Sequence, residues 1–129
     1  MANIHLFATT SPSQEFYVIR VYQLKTADQE ARVDNHLQLA LLPALHRQGI
    51  TDIGVFKPVG NDTAAIRRIY LLIPFRNLEQ YTGLTAALAK DAQYLADGKG
   101  YLDATYDDPP YVRFESILLQ AFQIGRAHV

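Results

Sequence analysis

The chain has 129 residues, which is enough for one compact domain and too few for two of ordinary size. Lys and Arg number 12 against 13 Asp and Glu, and the net charge of −1 gives no reason to expect nucleic acid or an anionic membrane as a partner. The absence of cysteine excludes disulfides, thiolate chemistry and Cys-based zinc sites, and no apolar run reaches the roughly 18 residues of a membrane span.

Residues 1–14, MANIHLFATTSPSQ, lack the basic start and the apolar stretch of a signal peptide, so we predict a flexible lead-in. The compartment stays open, because the chain as it stands points to the cytoplasm, whereas a misassigned start would conceal a signal for export. The folded domain is predicted to begin at Glu15.

The first half of the domain is predicted to form a strand and a long helix. Glu15–Lys25, EFYVIRVYQLK, is rich in β-branched and aromatic residues, which favours a strand. Thr26, with Gln three residues later, has the spacing of a capping box and predicts the start of a helix. Pro43 removes an internal hydrogen bond and is expected to kink or split that helix near Leu41, and Gly49 is predicted to end it.

The second half is predicted to supply a hairpin, a helix and a last strand. In order, these are strands Ile53–Val59 and Ile66–Phe75, a helix from Asn77 to Ala96, whole or broken, and strand Tyr111–Ala121. The glycines at 98 and 100 are expected to end the helix, and the prolines at 109 and 110 force an extended chain before the last strand.

The element order β-α-β-β-α-β predicts the ferredoxin-like α+β fold over residues 15–123, with one four-stranded antiparallel sheet and both helices on one face. If Ile19 and Val21 pack beneath the helices, the open face carries a mixture of apolar, aromatic and arginine side chains: Val18, Arg20, Tyr22, Arg68, Tyr70 and Leu72. Such a patch typically marks an interface or a ligand cavity. We therefore expect a second sheet to cover it and close a barrel, the alternative being a solvated face.

Five segments, in this order, resemble the NIPSNAP family, in particular its bacterial members: EFYVIRVYQLK, DNHLQLALLPALHRQGI, IGVFKPVGNDTA, RRIYLLIPF with NLEQY, and DDPPYVRFESILLQAF. The combination of LPALHRQGI, GVFKP and IPF is the most specific part, and the resemblance covers about Glu15–Phe122. It implies a dimeric α/β barrel of ferredoxin-like units. The wider superfamily includes small monooxygenases, haem-degrading enzymes and stress proteins, whereas NIPSNAP proteins have no settled chemistry.

The last six residues, Ile124–Val129, read IGRAHV and are neither a polar tail nor a further element. The codons ATC GGA AGA GCA CAC GTC TGA would encode them and resemble a common sequencing adapter, so we interpret 124–129 as non-native read-through on a truncated gene. A genuine short tail is the alternative. Many bacterial NIPSNAP proteins resemble two such domains in tandem, so the expected partner of the open face is either a second copy of this chain or a missing second domain.

The open face supplies the most site-like group in the sequence. Arg20, Tyr22, Arg68 and Glu115 would line the lumen of a closed barrel, with Tyr70 beside them. The assignment depends on strand register, since a slip of one residue turns every side chain to the other face. For Glu115 we favour an ion pair with an arginine over a general base, although burial in a dry lumen would raise its pKa.

His46, near the end of the first helix, is either a proton carrier or a histidine stabilised by the helix dipole. Lys57, at a strand end, either binds an anion or is a solvated edge lysine. We favour the second interpretation for both. His36 is predicted to be exposed, and its ten-residue separation from His46 does not match a helical zinc site, so we expect no metal and no cofactor.

Three functions remain open at this stage. The first is a NIPSNAP-like barrel, either non-catalytic or of uncharacterised activity, that dimerises and binds a small apolar or acidic molecule in its lumen. The second is a cofactor-independent or haem-degrading monooxygenase of the same superfamily, and the third is an adaptor in protein interaction or trafficking. The absence of a GxSxG, HExxH or glycine-rich phosphate motif favours the first, and the fold by itself does not decide.

Overall fold

The structure, a computed structural model, describes residues 15–121. Its elements follow the predicted β-α-β-β-α-β order, with the helical connections divided into shorter pieces. They are β1 (Glu15–Leu24), α1 (Ala27–His36), a π-helical segment (Leu37–Leu41), α2 (Leu42–Arg47), β2 (Gly54–Phe56), β3 (Arg67–Phe75), α3 (Leu78–Ala89), α4 (Ala92–Asp97), α5 (Lys99–Leu102) and β4 (Arg113–Ala121).

The four strands form one antiparallel sheet in the order β2-β3-β1-β4. The two longest pairings place β1 in the centre, between β3 and β4. The predicted α+β class and ferredoxin-like sheet are therefore confirmed. The second strand is shorter than predicted, since only Gly54–Phe56 pairs with β3 and the chain leaves the sheet before Pro58, which has no N–H to donate.

The first helical connection begins and breaks where its sequence predicts. The backbone N–H of Gln29 donates to the Thr26 hydroxyl at 3.0 Å, as a capping box requires. Before Pro43 the ladder changes register, because the Leu42 N–H bonds to the carbonyl of Leu37, five residues back. Gly49, with a φ of 84°, ends the connection in the left-handed conformation that glycine adopts without strain.

The second helical connection is broken twice. Asn77 caps α3, its side chain accepting from the Gln80 N–H at 2.8 Å, and Asp91 caps α4 in the same way through the Tyr94 N–H at 3.0 Å. The predicted end at the glycines of 98 and 100 is wrong in detail. Gly98 separates α4 from α5, and Gly100 lies inside α5.

The core lies between one face of the sheet and the helices. From β3 it receives Ile69, Leu71 and Ile73, as predicted. From β1 it receives the opposite residues to those predicted: Val18, Tyr22 and Leu24, with Phe16 packed against them. The strand pairing gives the reason, because residues directly opposite each other in an antiparallel pair point to the same face of the sheet. Arg20 lies opposite Leu71 and Tyr22 opposite Ile69, so both lie on the helix-covered face.

The open face is consequently more apolar than predicted. Its central positions are Ile19 and Val21 on β1, flanked by Tyr70 and Leu72 on β3 and by Ile117 and Leu119 on β4. Ile117 is 46% exposed and Leu119 43% exposed. Polar residues lie at both ends of this face. At one end Gln23 pairs with both Arg68 and Arg113, and at the other the Tyr17 hydroxyl donates to Glu15.

Candidate functional site

Arg20 lies in the middle of the central strand and points beneath the helices. Its Nε atom is buried and has no hydrogen-bond partner, and the guanidinium forms no ion pair with any residue between 15 and 121. The guanidinium carbon lies 5.8 Å from the centroid of Phe114, and the guanidinium also interacts with the hydroxyl of Tyr22, whose pKa it acts to lower. A partly buried cation without a carboxylate partner is unusual, because removing a charge from water is costly unless something compensates it.

Aromatic side chains surround the guanidinium on the side away from α3. Tyr22 lies at the centre, with ring centroids 6.3 Å from Tyr111 and 5.1 Å from Phe114. Tyr101 lies 6.2 Å from Tyr111 and continues the cluster towards α1. Burial raises the pKa of Tyr22, Tyr101 and Tyr94, although the Arg20 charge opposes part of this shift in each case. These tyrosines are therefore neutral and cannot balance the arginine.

His36, the last residue of α1, is part of the same cluster. Its ring stacks on Tyr101 with a centroid distance of 3.8 Å and lies 5.8 Å from the ring of Tyr94. The side chain is only 6% exposed and its Nδ1 has no hydrogen-bond partner. Burial, together with the nearby Arg20 charge, lowers the pKa of His36 to about 4, so the imidazole is neutral at pH 7.

The close packing around His36 depends on a glycine. A Cβ atom at Gly98 would lie 3.1 Å from Cε1 of His36 and 3.3 Å from the Cβ of Ala40. Ala40 belongs to the π-helical segment, which begins directly after His36. The missing side chain at Gly98 therefore lets the junction of α4 and α5 approach the helix turn that holds the imidazole in place.

A cavity of about 350 Å³ opens on the other side of Arg20, between the sheet and α3. Its deep wall is apolar and buried, formed by Val18, Ile73, Phe75 and Leu84. The remaining lining residues are Arg20, Tyr81, Thr82, Thr85 and Ser116, of which Thr82, Thr85 and Ser116 are exposed and lie at the mouth. The cavity thus combines an apolar floor, a polar rim and one cation, a combination typical of small-molecule sites.

The predicted site residues do not form one group. Arg20 and Tyr22 lie together, but beneath the helices. Arg68, Tyr70 and Glu115 lie on the open face, so the predicted lumen group of Arg20, Tyr22, Arg68 and Glu115 is wrong. Glu115 forms an ion pair with the neighbouring Arg113, whose Nε donates to Oε2 at 3.0 Å, in agreement with the structural interpretation.

Lys57 is neither a free anion binder nor a simple solvated lysine. Its Nζ lies 2.8 Å from Glu30 and 2.7 Å from Asp34, so it ties the end of β2 to α1. Burial acts to lower the pKa of Lys57, but the hydrogen bonds to Asp34 and Glu30 outweigh it and raise the pKa. Lys57 therefore pairs with two carboxylates of the fold and is not part of the candidate site.

His36 and His46 lie in different surroundings, and only the prediction for His36 is wrong. His46 is exposed on α2, where it lines a separate apolar hollow with Leu37 and Val55. His36, predicted to be exposed, is buried. The spacing could have revealed it, because Val33 and Ala40 lie three residues before and four residues after His36, on the same face of the helix, and both are fully buried.

Residues 15–121 define a ferredoxin-like α+β domain with one helix-covered and one open sheet face. Its fold is similar to that of two NIPSNAP family proteins from Agrobacterium tumefaciens. The first, of unknown function, is 18% identical to this chain with a TM-score of 0.62, and the match covers 88% of this chain and 94% of that one. The second is 12% identical with a TM-score of 0.62, and the match covers 88% of this chain and 99% of that one. These identities establish a shared fold.

A third protein of similar fold comes from Bacillus cereus and has been proposed to be an antibiotic biosynthesis monooxygenase. It is 10% identical with a TM-score of 0.54, and the match covers 89% of this chain and 98% of that one. No family model and no curated protein matches the chain. In the described range, no helix is long and apolar enough to cross a membrane, and no three His, Asp or Glu side chains are grouped to hold a metal ion.

Proposed function

We propose that this chain is a NIPSNAP family domain that pairs through its open sheet face and binds a small molecule in the cavity beside Arg20. The single observation that carries the binding function is a partly buried guanidinium, without an ion-pair partner in residues 15–121, at the wall of a cavity of about 350 Å³. The site lies within one protomer, between the sheet and α3, and not in the lumen between two sheets.

The cavity has the properties of a binding site more than those of a packing defect. Empty spaces left by imperfect packing are apolar and small, whereas this one has a charged group in its wall and hydroxyls from Thr82, Thr85 and Ser116 at its mouth. Its volume lies at the lower end of the range of ligand pockets, which is about 300–1,000 Å³. We therefore expect a ligand of fragment size.

Blocking the mouth of the cavity tests this function. Thr85 lines the cavity and is exposed on α3, so Thr85→Trp would fill the opening without replacing a core residue. Ala86→Trp is the matched control, because Ala86 is the exposed next residue and does not line the cavity. Binding of small aromatic acids and amides is measured by ligand-observed NMR at millimolar concentration.

We expect the unmodified protein and Ala86→Trp to bind members of this set, and Thr85→Trp to lose binding by about tenfold or more because the indole occupies the mouth. Equal binding by the two tryptophan variants would place the ligands elsewhere. No binding by any member to the unmodified protein would contradict the proposed function.

A monooxygenase is the second candidate, favoured by the similar fold of the Bacillus cereus protein. A cofactor-independent oxygenase needs a water-poor site that holds its substrate, and the apolar floor with the neutral His36 behind Arg20 is consistent with one. For the haem-degrading variant, a haem titration is decisive. A Soret shift on addition of haem would support it, and an unchanged haem spectrum would exclude it.

A further inference from the structure

We propose that the ligand of this cavity is a small carboxylic acid with an aromatic or aliphatic body, whose carboxylate pairs with the Arg20 guanidinium. This inference rests on the proposed binding function and names its ligand class. Three observations carry it: the charge surroundings of Arg20, the division of the cavity into apolar and polar parts, and the cavity size.

The first observation is a local excess of positive charge. The Arg20 charge acts on the pKa of His36, Tyr22, Tyr94 and Tyr101, and each of these side chains is neutral at pH 7. The described lining of the cavity beside Arg20 contains no carboxylate.

Three acidic residues lie within ten positions of Arg20, and none of them forms an ion pair with it. Glu15 is exposed and accepts from the Tyr17 hydroxyl, Asp28 is exposed on α1, and Glu30 pairs with Lys57 and Arg67. A guanidinium in these surroundings favours an anion, which it can bind with two parallel hydrogen bonds if that anion is a carboxylate.

The second observation separates a carboxylic acid from an inorganic anion. Behind Arg20, the cavity floor is formed by Val18, Ile73, Phe75 and Leu84, and it contains no further cation in the described lining. A phosphate or sulfate carries up to two negative charges. With Arg20 as the cation of the lining, one charge would be left without a partner, and the apolar floor would stay exposed to water. A hydrocarbon body attached to the anionic group would instead cover the apolar floor, which contributes about 25 cal/mol per Å² of buried area.

The third observation limits the ligand's charge and size. A second carboxylate would have to lie at the mouth, where Thr82, Thr85 and Ser116 supply hydroxyls but no cation. A cavity of about 350 Å³ also holds a single ring or a short chain and not a dinucleotide-sized cofactor. The expected ligand is therefore a monocarboxylate, with room for hydroxyl groups that face the rim.

Matched acids and amides test this class directly. Benzoate, phenylacetate and 3-phenylpropionate are compared with benzamide, phenylacetamide and 3-phenylpropionamide, which have nearly the same shape and no charge. Binding is measured at pH 7, where the acids are ionised, by ligand-observed NMR and calorimetry. Arg20→Gln removes the cation, and Arg113→Gln removes an exposed arginine of β4 as the control.

We expect the best acid to bind the unmodified protein about tenfold or more tightly than its amide, as charge-assisted hydrogen bonds predict. Arg20→Gln should abolish this preference, so that each acid and its amide bind with nearly equal affinity, and Arg113→Gln should preserve it. Circular dichroism checks that each variant is folded. Should Arg20→Gln fail to fold, the acid–amide ratio and the protection of the Arg20 guanidinium resonances by the acid decide the question.

Equal binding of acids and amides, or acid binding that Arg20→Gln leaves intact, would overturn the carboxylate class while the cavity remained a binding site. Absence of binding by both series would overturn the proposed function as well. The two failures are thus distinguishable by the behaviour of the neutral amides.

Discussion

Arg20 is the residue on which the candidate site depends, because a cation on the covered face of a central strand changes the chemistry of its neighbours. It favours the neutral form of His36, which already loses its charge through burial, and the two effects lower the same pKa. It also opposes the upward pKa shift of Tyr22. A single positive charge in an otherwise apolar layer therefore favours the binding of an anion there and disfavours that of a second cation.

At this scale we predict that His36 makes the protein less stable as the pH falls from 6.5 to about 4. Because its pKa is lowered in the folded state, the unfolded chain binds the proton more readily in this window, and protonation favours unfolding. The free energy of unfolding in urea should decrease by at most about 3 kcal/mol from this source and change little further below pH 4.

His36→Gln should remove this part of the pH dependence, and His46→Gln, which replaces an exposed histidine, should retain it. The carboxylate of Glu30 contributes at lower pH, since its pKa is lowered by the hydrogen bond from Lys57 and its stabilisation is lost only as the pH falls through that value. Identical slopes between pH 6.5 and 4.5 for His36→Gln and the unmodified protein would refute the prediction.

At the scale of elements, one carboxylate joins three parts of the fold. Glu30 of α1 lies 2.8 Å from Lys57 after β2, 2.9 Å from Arg67 of β3, and 3.3 Å from the amide of Asn61 in the turn between them. Asn61 is buried, and its carbonyl oxygen accepts from the Arg68 N–H at 2.7 Å. The short β2 strand is therefore held mainly by this polar network.

We predict that Glu30→Gln destabilises the protein by about 2 kcal/mol, because it leaves Lys57 and Arg67 without their shared, largely buried partner. Urea denaturation measures the change. Asp103→Asn is the control, because its ion pair with Lys99 is exposed and should contribute less than about 0.5 kcal/mol. A similar loss for both variants would show that the Glu30 network has no special role.

At the scale of the whole molecule, the two faces of the sheet differ in whether helices cover them. The helices cover the face that carries Ile69, Leu71 and Ile73, while Ile19, Leu72 and Ile117 lie on the open one. An apolar sheet face of this extent is typical of an interface. Pairing two such faces in a dimer would also leave each protomer's own cavity beside Arg20 intact, since that cavity opens on the opposite face.

We predict a dimer of the 14.5 kDa chain in solution, which analytical ultracentrifugation can measure. Ile117→Glu should weaken the dimer by at least about a hundredfold, because it buries a charge in the interface. Leu118→Glu is the matched control. It lies on the same strand with nearly the same exposure, 43% against 46%, but points to the helix-covered face. A monomeric unmodified protein, or equal effects of both substitutions, would contradict pairing through the open face.

Much of the fold could be predicted because local chemistry specifies it. The caps at Thr26 and Asn77, the helix break before Pro43 and the left-handed Gly49 each follow from one or two residues, and all are confirmed. The core side of β3 was also predictable, since Ile69 and Leu71 alternate with the more polar Arg68 and Tyr70. The paired open face and the proposed tail at 124–129 stay predictions, the tail lying outside the described residues.

What the sequence by itself determined was the order of the elements, the caps of the main helices and the ferredoxin-like class. Only the tertiary structure decided which face of β1 lies beneath the helices, and with it whether Arg20 belongs to a lumen or to a cavity within the protomer. The physical reason is that both faces of this central strand are apolar: Val18, Tyr22 and Leu24 on one, Ile19 and Val21 on the other. Alternation then no longer identifies the buried face, and only pairing with β3 does.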